Sequence, residues 1–370
     1  MLNTHRAPGM PVGADVKLVS PHREQKGTVD RTPIEALHDT AGLGLDGVLF
    51  RTLYEMSPAL DGGLLAEIAA EAAHLGLYLE VGIGKVNPYM TAEFPEIRRL
   101  GAGSYLDGMQ RLIAAAAAIG CHELWSAGAT YKAGLPGLFR NDRYRTDVDW
   151  PDQLAAIAGF LTLLAPTLRR HGSRINLETH EEITSAELVD LTERVGPDVV
   201  GIVFDCANVT VHGEYPQDAA RRVAPYTRMT HLRDVVMVPD GTGGLDRYLA
   251  PCGDGIIDWT GMLDILRAGN PSLHLTIEPA GPRQPAMPVP LQDPRWAAAH
   301  PDTDPAEIAA LHRSVDVYRE KAGAHGLPDH DALAAGGIHD RAGFLTRSAG
   351  ELRRALARTD RVAGPSPATA

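Results

Sequence analysis

Cysteine, aromatic residues and basic charge are all scarce in this sequence, and no long apolar run is present. Its three cysteines, Cys121, Cys206 and Cys252, form no C-x-x-C pair and are odd in number. That pattern excludes a disulfide scaffold and points to a reducing compartment, so a cytoplasmic location is expected. The opening MLNTHRAPGMPVG lacks the apolar stretch of a secretory signal. The longest apolar run, Leu112 to Ile119, is too short to cross a bilayer, so no membrane partner is expected. Lys and Arg are outnumbered 35 to 47 by Asp and Glu, giving a net charge of −12. Nucleic-acid binding needs clustered cations, so that partner class is excluded as well. An acidic chain remains compatible with a bound cation and a small neutral or weakly charged substrate.

What the chain does have is a 44% hydrophobic fraction, dominated by Ala, Leu and Val, which suits aliphatic strands packed under helices. Short aliphatic runs alternate with helical-period stretches over residues 15–326. Strands are expected near Lys17–Ser20, Gly47–Arg51, Leu77–Gly82, Glu123–Ser126, Arg174–Glu178, Val199–Asp205, Arg228–Arg233 and Leu273–Glu278. Helices are expected between them, with a last one at Pro305–Ala324 that opens on Asp304-Pro305. Eight strands in this alternation predict an α/β fold, a (β/α)8 TIM-type barrel. A doubly wound sheet would want a glycine-rich turn after the first strand, and SPHREQKG supplies none. Residues 1–14 read as a flexible N-terminus. Residues 327–370 read as a turn, one helix at Ala342–Ala357, and a Pro/Ala tail whose last ten residues are disordered. Long connections at Gly128–Asp149 and Val235–Asp258 follow strand C-termini, the face on which barrels build active sites. A third, Pro-rich connection runs from Gly281 to Asp302.

Four strands end in polar groups that folding does not require. INLETHEE ends its strand in Glu178, GIVFDCAN in Asp205, and LTIEPAG in Glu278, while RMTHLRD places His231 late in its own. A single carboxylate at a strand end is most often a helix cap or a salt-bridge partner. All four, on the fifth to eighth strands, converge at one end of one barrel, with Glu178 and Glu278 approaching from nearly opposite sides. Three carboxylates and an imidazole meeting without cationic neighbours would repel one another. One bound divalent ion removes that repulsion, and the oxygen-rich, sulfur-free set suits Mn²⁺, Mg²⁺ or Co²⁺.

These four residues, with HLRD, CGDGIIDWTGMLDIL and LTIEP, resemble the xylose-isomerase-like TIM-barrel superfamily of sugar epimerases, sugar-phosphate isomerases, inosose dehydratases and endonuclease IV. The resemblance is strongest over residues 174–280 and architectural before that. It implies that Glu178, Asp205, His231 and Glu278 bind one catalytic divalent metal, Mn²⁺ first. It also implies that Glu178 and Glu278 are the acid–base pair of a sugar isomerase or epimerase working through a metal-stabilised enediolate. The alternative is a lyase or dehydratase performing β-elimination on a 3-keto sugar, such as carbon-glycoside cleavage. His180 is a catalytic candidate, as a second base or as a leaving-group acid titrating near neutrality, against its reading as a loop histidine. Asn208, Arg233 and His22 are candidate substrate contacts, with pairing to Asp234 or Asp254 as the alternative for Arg233. Trp125 and Lys132 follow as pocket-lining residues by barrel geometry. Gly82 and Gly84 read as turn devices. Several epimerases and endonucleases of the superfamily carry His where this chain has Asn208, which with the charge argues against an endonuclease-type site. A small sugar or glycoside is the expected partner, a homo-oligomer is compatible with the family, and the long loops suit a larger aglycone or a partner subunit.

Overall fold

A computed structural model describes residues 9–18, 30–130, 132, 134–280, 286–335 and 340–363. Eight parallel strands run in the order β10-β1-β2-β3-β4-β5-β6-β7. They are β1 (Val12–Val16), β2 (Gly47–Phe50), β3 (Tyr78–Gly82), β4 (Glu123–Ser126), β5 (Arg174–Glu178), β6 (Val200–Asp205), β7 (Thr227–His231) and β10 (Leu275–Ile277). Leu232 N donates to Thr276 O at 2.8 Å and Leu232 O accepts in return from Glu278 N at 3.2 Å, which joins β7 to β10 and closes the barrel. The (β/α)8 barrel is the observed fold.

Strand alternation sorts the core into two layers. Val48 and Phe50 face the surrounding helices in the main cluster, while Leu49 points inward with Trp125, Ala127, Val203 and Met229. The helices start where their sequence supplies caps: Thr32 with Glu35 and Thr184 with Glu187 form capping boxes for Pro33–Gly42 and Ser185–Val195. Asp304 caps the long helix Pro305–His325.

Three sequence readings need correction. The first strand is Val12–Val16, not Lys17–Ser20, so the barrel begins ahead of residue 15. Gly13 and Asp15 weaken the strand signal of VGADV, yet both are required. A Cβ on Gly13 would fall 2.2 Å from the Tyr78 hydroxyl, and buried Asp15 accepts from Arg51 Nε at 2.7 Å. The connection after β7 is not a loop but a hairpin of β8 (Asp234–Pro239) and β9 (Leu245–Ala250). It is joined antiparallel by β11 (Met287–Val289) from the Pro-rich connection. Finally, Gly82 lies within β3, where a Cβ would sit 2.0 Å from Arg51 O and 2.7 Å from Trp125 Cε3. It is a close-approach glycine rather than a turn device.

The C-terminal extension holds two helices rather than one: a short His330–Ala335, and Arg341–Ala363, longer than expected, which packs on the helix Trp259–Gly269 and on β1. Arg341 Nη2 donates to Asp15 O at 2.7 Å, and Ser348 Oγ accepts from Cys252 N at 3.0 Å. Residues 361–363, expected in the tail, continue that helix; residues 364–370 lie outside the described residues. No helix among the described residues is long and apolar enough to cross a membrane.

Candidate metal centre

Glu178, Asp205, His231 and Glu278 meet at the C-terminal end of the barrel, all buried, each offering a ligand atom within 4.8 Å of the others. The register explains the meeting. Asp205 and His231 are direct partners across β6 and β7, and Glu178 ends the adjacent β5. Glu278 follows β10, on the other side of β7 through the Leu232–Ile277 bridge.

Each carboxylate is held by donors. Trp125 Nε1 donates to Glu178 Oε2 at 2.8 Å, and Asn208 Nδ2 to Glu178 Oε1 at 3.3 Å. The backbone N–H groups of Ala207 and Asn208 fix Asp205 Oδ1 at 2.9 and 3.2 Å. Arg233 Nη2 bonds Asp205 Oδ2 and stands 2.9 Å from Glu278 Oε2, while Lys17 Nζ lies 2.8 Å from Glu278 Oε1, which Arg51 also bonds. The carboxylates therefore do have cationic neighbours, contrary to the sequence reading, and these come from elements distant in the chain. Arg51 and Lys85 both stack on Trp125, at 4.6 and 4.3 Å from the ring centre.

Burial opposes the ionised form of Glu278, but Arg233, Arg51 and Lys17 outweigh it and hold the carboxyl well below its usual range. Burial likewise opposes ionisation of Glu178, and neighbouring His231 and Arg51 hold it low. At Asp205 burial prevails over Arg233, with the like charges of Glu178 and Glu278 adding, and raises the pKa to about 6.

The donor set fits a divalent cation. Among the described residues neither ring nitrogen of buried His231 has a hydrogen-bond partner, and Glu278 Oε2 makes no hydrogen bond but an ion pair with Arg233 Nη2 at 2.9 Å. Nδ1 of His231 stands 3.3 Å from Glu178 Oε2, within ion-pair reach but without hydrogen-bond geometry. An imidazole buried with both nitrogens unpaired is costly, and coordination satisfies one of them.

The other candidate residues fall as follows. His180 lies at the site's edge, between Glu181 Oε2 at 3.1 Å and the Glu182 carboxylate. Burial disfavours its charged form, yet Glu182 and Glu181 raise its pKa to about 9, so it is a cation at neutral pH and not a group poised near neutrality. Asn208 is fully buried, with its amide divided between Glu178 and the Arg233 guanidinium at 3.0 Å, so it positions these groups. Arg233 pairs with Asp205 and Glu278 rather than with Asp234 or Asp254. Asp234 instead accepts from Trp259 Nε1, and Asp254 pairs with Arg347. Lys132 pairs with Asp142 and Glu93. His22 lies outside the described residues. Sequence reasoning missed Lys17, Arg51, Lys85 and Arg247. Their only signal is a basic residue at or just after a strand, or in a connection, which ordinarily reads as surface.

The model for xylose isomerase-like TIM barrels matches residues 37–313. The chain belongs to this family. A curated relative, "Uncharacterized protein YihM" of Escherichia coli (strain K12), is 30% identical over 112 residues, 30% of this chain and 34% of the relative. The 3-oxo-isoapionate decarboxylase of Pectobacterium atrosepticum is 21% identical over 129 residues, 35% of this chain and 46% of that protein. The matched segments thus span about a third and about half of these relatives. Among solved structures, an L-ribulose 3-epimerase aligns with a TM-score of 0.55 and 17% identity over 97% of this chain and 100% of that one. A xylose isomerase-like TIM barrel protein from Mycobacterium smegmatis in complex with magnesium aligns with a TM-score of 0.57 and 16% identity, covering 82% and 98%. At these identities the structural likeness speaks for the fold alone.

Proposed function

We propose that the protein is a divalent-metal-dependent isomerase or epimerase of a keto or aldo sugar. One observation carries the reading: four ligand atoms from Glu178, Asp205, His231 and Glu278 within 4.8 Å of one another, with neither His231 nitrogen in a hydrogen bond among the described residues. These four residues would hold one ion, Mn²⁺ first, with Mg²⁺ or Co²⁺ as alternatives. When bound, such an ion supplies Lewis-acid polarisation of a carbonyl and a neighbouring hydroxyl.

The protein's own groups supply the rest. Glu178 is aimed by Trp125 and Asn208, and Glu278 by Lys17 and Arg51, so both carboxylates are held ionised and oriented. An ionised, oriented carboxylate can take a proton from the carbon beside a carbonyl, and its partner can return one. His180, kept protonated by Glu181 and Glu182, serves as a donor to a substrate oxygen. The sheet β8-β9-β11 meets the ends of β5 and β6 through Arg247–Glu181 and the 208–212 turn, and shields this side of the barrel mouth from water. With three free cysteines, all buried, a cytoplasmic setting goes with this reading.

A lyase is the second reading. It is favoured by the partial likeness to a decarboxylase of a 3-oxo sugar acid, and by His180 standing as an acid beside the carboxylates. Both readings begin with removal of a proton from the carbon beside a carbonyl, or in a decarboxylation with departure of carbon dioxide that leaves the same enolate, and they part afterwards. The metal-loaded protein is incubated with ketoses and 3-keto glycosides in deuterated water. Deuterium incorporation at unchanged carbon skeleton is expected. Release of a fragment assigns the lyase instead, and full activity in demonstrably metal-free protein removes both.

A further inference from the structure

Arg247, in the middle of β9, is among the largest fully buried side chains of the protein, at 2% exposure. Among the described residues only its Nη2 is engaged, by Glu181 Oε1 at 3.4 Å and Met287 Sδ at 3.3 Å, while Nε and Nη1 have no partner there. Arg233 Nε, also buried, has none either. Lys85, at 8% exposure, has its amine over the Trp125 ring and within the field of Glu178 and Glu182. A buried guanidinium with unspent donors is costly unless something else satisfies it.

The charge balance points the same way. Around Glu178 and Arg247 stand the carboxylates of Asp15, Glu178, Glu181, Glu182, Asp205 and Glu278, against the cations Lys17, Arg51, Lys85, Arg233 and Arg247. That is six carboxylates against five cations, an excess of one negative charge. A divalent ion leaves the mouth of this acidic protein with surplus positive charge. Glu181 and Met287, the two groups that touch Arg247, also line an adjacent cleft, open to solvent, with Arg140, Asn141, Tyr144 and Trp296.

We infer that the substrate is a sugar carrying an oxyanion, a carboxylate or a phosphate, at the end remote from the reacting carbonyl, and that Arg247 receives it. The inference rests on the sugar reading above for the class of molecule, and on the unspent donors for the charge. The inserted sheet then has a task beyond shielding: it brings to the mouth a guanidinium fork whose planar geometry matches an oxyanion.

Binding decides it without reference to turnover. Calorimetry on the purified full chain compares ribonate and ribitol 5-phosphate with ribitol, and gluconate with sorbitol. At least one anion of each length is expected to bind about tenfold or more tightly than its neutral counterpart. A preference for ribonate assigns the carboxylate, and one for ribitol 5-phosphate assigns the phosphate. Arg247→Met is expected to erase the preference, and Arg247→Lys to keep part of it. Equal affinities for anion and alditol in the unmodified protein overturn the inference, as does an anion preference that survives in a folded Arg247→Met variant. If that variant fails to fold, the unmodified-protein comparison and Arg247→Lys still decide. Failure of the isomerase reading shows elsewhere, as absent metal or absent solvent exchange, so the two cannot be confused.

Discussion

Trp125 Nε1 donates to Glu178 Oε2 at 2.8 Å, and the same indole ring carries Arg51 and Lys85 on its faces. One side chain at the end of β4 thus orients a proposed ligand and spaces two cations around it. Trp125→Phe keeps an aromatic face and removes the donor. A hydrogen bond to a charged group is worth about 1.5–3 kcal/mol, and loss of such support commonly lowers metal affinity by roughly 10–100-fold. A fall in that range is expected in a competition titration with a metal-binding dye; unchanged affinity would show that Glu178 needs no indole to hold it.

Glu178→Gln and Glu278→Gln are each expected to reduce turnover by at least about a hundredfold, the usual scale of a lost general base. Because both residues are proposed ligands, metal content is measured on the same samples. Normal metal with a near-normal rate removes that residue from the acid–base pair.

Gly82→Ala tests the packing behind the site. The added Cβ would lie 2.0 Å from Arg51 O, a backbone atom that cannot yield cheaply, and 2.7 Å from the Trp125 ring. Overpacking of this kind costs about 1–3 kcal/mol. A lowered melting temperature is expected together with weakened metal binding, since Arg51 and Trp125 both touch the proposed ligands. An unchanged melting curve would mean that the strands part without cost.

His212 Nδ1 and His300 Nε2 are 2.8 Å apart in a buried pair. Burial, with Arg143 adding, pushes His212 down to about 3; burial, with His212 and Arg143, pushes His300 to about 2. Both are neutral in the fold, whereas an unfolded imidazole protonates near about 6.5. Below that pH the unfolded chain binds more protons, so the pair's contribution is complete above about 6.5 and declines as pH falls toward 3. Urea midpoints at pH 7.5, 6 and 5 are expected to drop more steeply for the unmodified protein than for His300→Gln. Parallel slopes would mean that His300 does not stay neutral.

Much of this was legible because strand ends are where a barrel exposes function. Glu178, Asp205, His231 and Glu278 each end or follow an aliphatic run, and polar groups there have no packing reason to exist. The cations were hidden for the converse reason. Arg51 follows β2 and Lys17 follows β1 in stretches where a basic side chain ordinarily meets solvent, and their partners lie far off in sequence. The β8–β9 hairpin did carry a local signal, Asp240-Gly241 between apolar stretches, which the glycine-rich length of the connection obscured. β1 was displaced because KLVS is the better aliphatic run, while VGADV contains the glycine and aspartate that the barrel interior needs.

The seating of the C-terminal helix on β1 has a consequence for how the chain is made. Lys17 and Glu278 are 261 residues apart in sequence, and Arg341 reaches back 326 residues to Asp15. On the ribosome, β1 emerges first but can pair with β2 alone until β10 arrives, so one of its edges stays open through most of synthesis. An unpaired strand edge is a template for wrong partners, and such distant pairings form slowly. Neither the barrel nor its charged centre can be completed until the chain through Glu278 has left the exit tunnel, which makes interrupted translation products of this chain natural clients for chaperones.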